Sequence, residues 1–464
     1  MAFQGDEHDT IAAIATPYGE SGIGIVRISG PEAKRIAEGM FRPRSEPNGL
    51  ISHHIRYGEI VDPGSGRVID EVLLTFMVAP KTYTREDVVE INCHGGFEVL
   101  QQVLEAVLRR GAREALPGEF TKRAFLSGRI DLAQAEAVLD IIQAKTDEGL
   151  RLAEEQLRGK LSREIAGIRE EVLRLLAAIE AYIDFPEEDI APLSSEGAVE
   201  VLHRTLDRVD KLIKASEDGE IYREGVKVAI VGKANVGKSS LLNQFLERER
   251  AIVTATPGTT TDVIEEFVNL SGVLIRLTDM AGLHEPRNEV EREGVRLARG
   301  KMSEAHLILF LVDRSRPLDE EDRMIFREVH EKRALLVFNK TDLPPRLDVE
   351  EVRQETGMKD CYPVSALRGD GIEELKKGMV DVIVTGHAKR GGGELIPVNL
   401  RHKRVLEKAQ RALGEALEGR QREIPWDLTA IEIRQALDIL GEIAGETTPE
   451  EVLEMIFSRF CIGK

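Results

Sequence analysis

The sequence predicts a multidomain fold: an α+β N-terminal domain, an all-α helical domain, and an α/β domain with a doubly wound parallel sheet inserted into the helical one. Three observations predict it. Short apolar runs between Gly- and Pro-containing turns fill residues 10–117. Apolar positions spaced by three and four dominate 121–182 and return over 397–457. Between them, β-branched runs alternate with helical stretches. At 464 residues the chain is too long for a single core. The expected boundaries are 1–119, 120–222, 223–386 and 387–464. The second and fourth segments then form one helical domain around the third.

In the first domain, Thr10–Ala15 and Ile25–Gly30 read as strands around a turn-rich loop, and Pro31–Met40 as a short helix with Pro at its start. Residues 55–80 alternate as strands around the turn at Asp62. Val88–His94 is a further strand running into Gly95 and Gly96, and Phe97–Arg110 is an amphipathic helix. In the second domain, Leu132, Ala135, Val138, Leu139 and Ile142 share one helix face. Leu157, Leu161, Ile165, Ile168 and Val172 share another, which stops at Phe185-Pro186. Val199–Ala215 is a further helix, and Glu217–Glu220 reads as a polar hinge. Val226–Val231, Val273–Thr278, His306–Val312 and Ala334–Phe338 are the strands of the third domain. Gly386–Glu394 is a flexible exit, and Gly441 and Gly445 break the closing helices.

Composition bounds the function. Hydrophobic residues are 42% and charged residues 31%, a soluble globular balance. The net charge of −19 gives no bulk attraction for nucleic acid, so RNA contact requires a local basic patch or a second protein. Aromatics at 5% argue against a broad base-stacking surface. Three cysteines argue against a disulfide scaffold and fit a reducing cytosol. Met1–Thr10 lacks the pattern of a signal peptide, and no run of about twenty apolar residues predicts a membrane span. The expected location is cytoplasmic.

The most informative stretch is Gly232-Lys-Ala-Asn-Val-Gly-Lys-Ser239, between an apolar strand and a helix. Such a loop turns backbone N–H groups and a helix N-terminus toward phosphate. Asn235, Val236 and Gly237 form its turn. Lys238 adds a point charge, Ser239 a hydroxyl for Mg²⁺, and Ser240 continues the first helical turn. Asn339-Lys340-Thr341-Asp342 follows a strand; a carboxylate there accepts both N1–H and N2–H₂ of guanine, which adenine does not offer. Ser365 and Ala366 bring backbone N–H groups toward O6. Asp279-Met-Ala-Gly282 and Thr254–Asp262 fit the two loops that sense the γ-phosphate. Four motifs in this order predict GTP and a P-loop GTPase domain. Leu283 stands where Ras-like proteins use Gln to orient water, which Leu cannot do. Asn235 offers a carbonyl that could hold a monovalent cation; the plainer reading is a loop-stabilising amide.

These motifs resemble the GTPases that include Era. With the chain ends they resemble, over the whole length, the MnmE (TrmE) family of tRNA-modification GTPases. The residues carrying this are Asp9-Thr-Ile-Ala-Ala, Gly24–Gly30, Glu86–Glu90, His94-Gly-Gly96, Pro117–Phe120, Asp131–Glu136, the nucleotide motifs, and the tail Phe457-Ser-Arg-Phe-Cys461-Ile-Gly-Lys464. The resemblance implies K⁺-stimulated hydrolysis with K⁺ held by Asn235, Thr254, Thr256 and Thr259, Mg²⁺ by Ser239 and Thr260, and Glu291 positioning water. It implies that a tetrahydrofolate derivative (5-formyl- or 5,10-methylene-) is held by Arg27, Glu90, Arg129 and Lys464. Cys461 matches a reactive thiol, with attack on uracil C6, handling of the folate carbon and a structural role all open. The implied assembly is a homodimer through the N-terminal domain, joined in a heterotetramer with the flavoprotein MnmG (GidA), which carries the FAD. The implied reaction adds a carboxymethylaminomethyl or aminomethyl group to C5 of wobble uridine in certain tRNAs. The alternative is an Era-like RNA- or ribosome-assembly GTPase without modification chemistry. This sequence departs from the family at Arg129 (often Lys), Met280 (usually Thr) and Thr261 (Arg). Cys93 and Cys361 are expected as buried structural thiols, His94 as a loop-fixing residue, and Arg401–Arg404 as a solvated basic helix face.

Overall fold

The computed structural model describes residues 9–44, 49–184, 195–249, 265–279, 296, 300, 302–330, 332–358, 360–388 and 396–464. The chain divides into two compact units, residues 1–139, 162–166 and 437–464 in one, and 140–161 with 167–436 in the other.

In the first unit, seven strands form one sheet: β1 (Ile11–Ile14), β2 (Ser21–Ser29), β3 (Phe41–Pro43), β4 (His54–Val61), β5 (Val68–Met77), β6 (Val88–Gly95) and β7 (Arg113–Glu114), in the order β3-β4-β5-β6-β2-β1-β7. Among the described strands of this sheet, only β1 and β7 pair in parallel. The period of two in these strands sorts their side chains onto two faces. Val26, Ile28, Ile60, Val72, Leu74, Val89 and Ile91 point into one core. The helices α1 (Ala33–Glu38) and α2 (Phe97–Arg109) cover that face through Ile36, Leu100, Val103 and Val107. The other face carries Arg27 opposite Glu90, Thr75 opposite Glu90, and Tyr57 and Asn92 opposite Leu73. β2 begins four residues before the expected Ile25, with a register shift between Ser21 and Gly24. The helix α1 is shorter than Pro31–Met40 because the chain turns at both ends.

A charged cluster closes this unit. Arg113 and Arg123 both bridge Asp9 and Glu119, and Arg123 also reaches Glu86. Glu119 is 5% exposed. Burial pushes its pKa up, but hydrogen bonds from Arg113, the Leu116 N–H and Arg123 outweigh it, and the net shift is downward. Asp9 is lowered by the same balance, burial against its two arginines. Both depressed acids stabilise the fold above their unfolded pKa values of 4.5 and 3.8, and that contribution is lost as pH falls through the folded values. Glu119→Gln is therefore expected to lower the thermal midpoint by about 5 °C near neutral pH. The gap to the parent should close in acid. A gap that stays constant from neutral pH into the acid limb would contradict this assignment.

The helices α3 (Glu119–Leu126), α4 (Leu132–Gln143) and, near the C-terminus, α14 (Glu450–Phe457) meet around Leu132, Ala135, Ile456, Phe457 and Phe460. The tail thus folds with the N-terminal unit.

In the second unit, α5 (Asp147–Leu157), α6 (Lys160–Asp184) and α7 (Ser195–Glu224) precede a six-stranded sheet. Its strands are β8 (Val226–Val231), β9 (Glu265–Leu270), β10 (Val273–Asp279), β11 (Leu307–Asp313), β12 (Ala334–Asn339) and β13 (Cys361–Pro363), ordered β13-β12-β11-β8-β10-β9. All pairs are parallel except the edge hairpin β9–β10, which the sequence reading did not include. β11 is buried at every position, as a parallel strand covered on both faces requires. The helices α8 (Lys238–Glu249), α9 (Glu320–Val329), α10 (Val349–Thr356) and α11 (Ile372–Ala388) flank the sheet, with separate apolar cores on its two faces. α12 (Leu400–Gln421) then packs along α7, so the chain leaves and re-enters the same helical layer around an inserted α/β unit. α13 (Trp426–Ala444) follows.

Three boundaries differ from expectation. The polar hinge at Glu217–Glu220 is helical and belongs to α7, which also starts before Val199. Glu and Arg are good helix formers that sustain a helix without apolar periodicity, and one Gly costs only about 1 kcal/mol. α11 continues to Ala388, through the first residues of the expected exit; 389–394 lie outside the described residues. Gly441 stays inside α13, whereas Gly445, with φ +90°, ends it. The helix stop at Phe185-Pro186 lies outside the described residues, directly after α6. No helix among the described residues is long and apolar enough to cross a membrane.

Candidate functional site

The loop between β8 and α8 is set by a close approach of its backbone to a neighbour. Gly237 has φ +104°, and a Cβ there would stand 2.2 Å from the Asn339 amide nitrogen. Only Gly admits that contact in that conformation. Asn339 is 2% exposed and works as a strut: its Nδ2 donates to the Val236 carbonyl at 2.7 Å, while its Oδ1 accepts from the Ala366 N–H at 2.9 Å. One side chain thereby ties the phosphate-type loop, the Asn-Lys-Thr-Asp turn and the Ser365–Ala366 turn together. Lys238 donates to the carbonyls of Gly232 and Lys233, each at 3.0 Å. Asn235 is exposed with φ +61°, a left-handed conformation that Asn tolerates better than most residues. Ser239 and Ser240 are exposed on the first turn of α8.

The Asn339–Asp342 turn is held from below. Lys340, also left-handed at φ +67°, donates to Asp313 at 2.7 Å. Burial raises the Asp313 pKa, but Lys340 and Ser315 outweigh it and hold the carboxylate below its usual range. Ser365 Oγ donates to Asp342 Oδ1 at 2.7 Å, the main cause of the lowered Asp342 pKa. Asp342 is therefore held as a carboxylate. Asp279 ends β10 beside Ile230, next to the loop. Thr254, Thr256, Thr259, Thr260, Gly282, Leu283 and Glu291 lie outside the described residues.

A second constellation lies in the first unit. Arg27 and Glu90 face each other across β2 and β6 and pair at 2.8 Å. Arg27 also donates to the Gly463 carbonyl at 3.0 Å and stands 5.7 Å from the centre of the Phe120 ring. Gly463 packs against β1, where a Cβ would stand 2.4 Å from the Ile14 carbonyl, at φ +93°. Lys464 is half-buried beside this pair. Burial, then the Arg27 charge, pushes its ammonium below the usual lysine range against the pull of Glu90. The structure thus brings Arg27, Glu90 and Lys464 together. Arg129 stacks 4.7 Å from the Tyr83 ring centre and donates to the Tyr83 carbonyl at 3.2 Å. Tyr83 packs against the Phe120 cluster, so the two arginines share one apolar floor. Cys461 is exposed, and its carbonyl accepts from the Gly118 and Lys464 N–H groups.

The remaining sequence readings resolve variously. Cys93 is buried and its thiol is pushed up to about 12, mainly by burial. Cys361 is only half-buried at the sheet edge, where β13 is short. His94 lies near the end of β6, as the strand reading has it, exposed, with Nδ1 2.7 Å from Asp70. The basic run Arg401–Arg404 does not form a single solvated face: His402 is buried in a reciprocal N-cap with Asn399. Sequence reasoning missed Phe120 and Tyr83 as flooring rings, and the Gly463 carbonyl as an Arg27 acceptor. It also missed Lys233, whose ammonium pairs with Asp319 and Asp322. The Asp319-x-x-Asp322 capping pattern was the one signal available.

Comparison with known proteins agrees across the chain. A family model described as the MnmE helical domain matches residues 132–461, and one described as the GTP-binding protein TrmE N-terminus matches 10–129. The tRNA modification GTPase MnmE of Geobacter sulfurreducens is 47% identical over 456 residues, 98% of this chain and 99% of that one. The protein of the same name from Bacillus subtilis is 45% identical over 459 residues, 98% of this chain and 100% of that one. Among solved structures, the G domain of the T. maritima FeoB iron transporter is 27% identical, covering 34% of this chain and 98% of that one, with a TM-score of 0.29.

Proposed function

Because this chain belongs to the MnmE (TrmE) family of tRNA modification GTPases, we propose that it is a K⁺-stimulated GTP hydrolase that works with the flavoprotein MnmG on wobble uridine C5 of tRNA, using a tetrahydrofolate one-carbon unit. The observation that carries the folate part is the C-terminal Gly463–Lys464 docked on the Arg27–Glu90 pair. This places a carboxylate, a guanidinium and an ammonium beside aromatic floor, a donor set that suits a flat, polar-edged, anionic-tailed ligand. Glu90 would accept from the N–H edge of a pterin, and Arg27, Arg129 and Lys464 would balance the negative end. The folate supplies the carbon. Cys461, on the same tail, is the thiol to test.

In the nucleotide unit, the Gly237 cradle fits phosphate, and Asp342 fits guanine. Ser239 and Thr260 would hold Mg²⁺, whose charge offsets that of the phosphates. K⁺ held by Asn235, Thr254, Thr256 and Thr259 would supply the charge that an arginine finger brings elsewhere. Glu291 would orient water in place of the missing Gln. The domain boundaries 1–119, 120–222, 223–386 and 387–464 belong to this reading. So does pairing of two N-terminal domains, supported by exposed Ile55, Tyr57 and Leu73 on the sheet face that also carries Arg27 and Glu90.

The test mixes the protein with MnmG, GTP, a tetrahydrofolate and unmodified tRNA, in K⁺ or Na⁺, with nucleosides read by mass. A new wobble-uridine product is expected, and GTP turnover at least about tenfold faster in K⁺ than in Na⁺. Equal turnover in the two salts removes the cation from Asn235. Absence of product in K⁺ overturns the modification reading in favour of a GTPase without that chemistry.

A further inference from the structure

The phosphate-type loop contains two lysines, and the structure separates their work. Lys238 lies on the loop, facing the carbonyls of Gly232 and Lys233. Lys233 turns the other way. It is 4% exposed, and its ammonium contacts both Asp319 and Asp322, the latter at 3.2 Å. These two carboxylates already form the reciprocal cap of α9: Asp319 accepts from the Glu321 and Asp322 N–H groups, and Asp322 accepts from the Asp319 N–H at 3.2 Å. An acidic pair that caps one helix thus also seats the cation that starts the loop.

We propose that Lys233, held by Asp319 and Asp322, is a positioning residue for GTP: it anchors the start of the phosphate loop to α9 and fixes the carbonyl on which Lys238 rests. The path is short and covalent at its centre. The Lys233 side chain is clamped by carboxylates, and the backbone oxygen of the same residue receives the Lys238 ammonium. On the far side, Asn339 holds the Val236 carbonyl. The loop is therefore pinned at both ends, by an ion pair at Lys233 and by an amide at Val236. A loop pinned in this way loses little freedom when phosphate arrives, which favours affinity over turnover.

The inference rests on reading Gly232–Ser239 as the nucleotide loop, and the test separates the two. In the full-length protein, Asp319→Asn with Asp322→Asn keeps good capping side chains while removing the charges that hold Lys233. The expected result is a KM for GTP raised about tenfold with kcat within about twofold of the parent. Asp319→Asn alone, at a half-exposed position that is safe for folding, should speed release of a fluorescent GDP analogue about threefold. Lys238→Ala serves as the control on the loop. If it abolishes nucleotide binding while the two Asp variants keep the parent KM and release rate, the clamp is overturned. If Lys238→Ala itself leaves binding unchanged, the reading of the loop fails, and the clamp with it.

Discussion

Asp342→Asn is expected to weaken GTP binding about a thousandfold and to create affinity for xanthosine triphosphate. A carboxylate at this position accepts from guanine N1–H and N2–H₂ together. Each such charge-assisted bond is worth about 1.5–3 kcal/mol, because the alternative leaves a charged acceptor without its donors. The structure also says which way the replacement amide will point. Ser365 donates its hydroxyl to Asp342 Oδ1 at 2.7 Å, so the amide oxygen of Asn takes that side and its NH₂ faces the base. Guanine then meets a donor where it needs an acceptor. Xanthine carries a carbonyl at C2 and meets a match. Direct titration with both triphosphates checks the inversion. Weakened binding of both nucleotides to the same degree would mean that Asp342 shapes the turn instead of reading the base. The strut Asn339 and the Lys340–Asp313 pair keep the turn in place in either case.

What the sequence made legible follows from distance along the chain. The parallel strands were readable because burial on both faces leaves continuous apolar runs, as in Leu307–Asp313. The turns at Gly232–Ser239, Asn339–Asp342 and Ser365–Ala366 were readable as short local motifs, and Asn339 joins all three in the fold. The end of α7 after Ala215 was not, since a polar helix carries no apolar period and its Glu217–Glu220 segment mimics a hinge. Nor was β9, whose Glu-Glu-Phe-Val-Asn-Leu becomes a strand by pairing with β10. The clamp joins Lys233 to residues 86 and 89 positions away, and the Arg27 contact to Gly463 spans 436. No spacing rule reaches that far; only the fold brings such groups together. Arg129 shows the limit from the other side. The resemblance groups it with Arg27 and Glu90, yet its guanidinium lies on Tyr83 and not on that pair.

Removing Gly463 and Lys464 is expected to weaken binding of 5-formyltetrahydrofolate about a hundredfold and to abolish the modified nucleoside, while nucleotide affinity keeps its parent value. Two losses add. Arg27 gives up the carbonyl it donates to at 3.0 Å, leaving a mostly buried N–H without an acceptor at about 1–3 kcal/mol. The site also loses an ammonium that is already partly desolvated, and so is predisposed to pair with an anion. Lys464→Met separates the two effects, because it keeps the Gly463 carbonyl on Arg27 and removes only the charge. An intermediate folate affinity for that variant is the signature of two independent contributions. Parent-like folate binding by the truncated chain would take the tail out of the site, and with it the reason for placing Cys461 near the one-carbon chemistry. The tail is a sensitive place to ask, since it is held to the N-terminal sheet by few contacts: Gly463 under Ile14, the Cys461 carbonyl on Gly118, and the Phe457 and Phe460 rings behind them. Those rings remain in the truncated chain, so the loss separates Gly463 and Lys464 from the anchor that positions them.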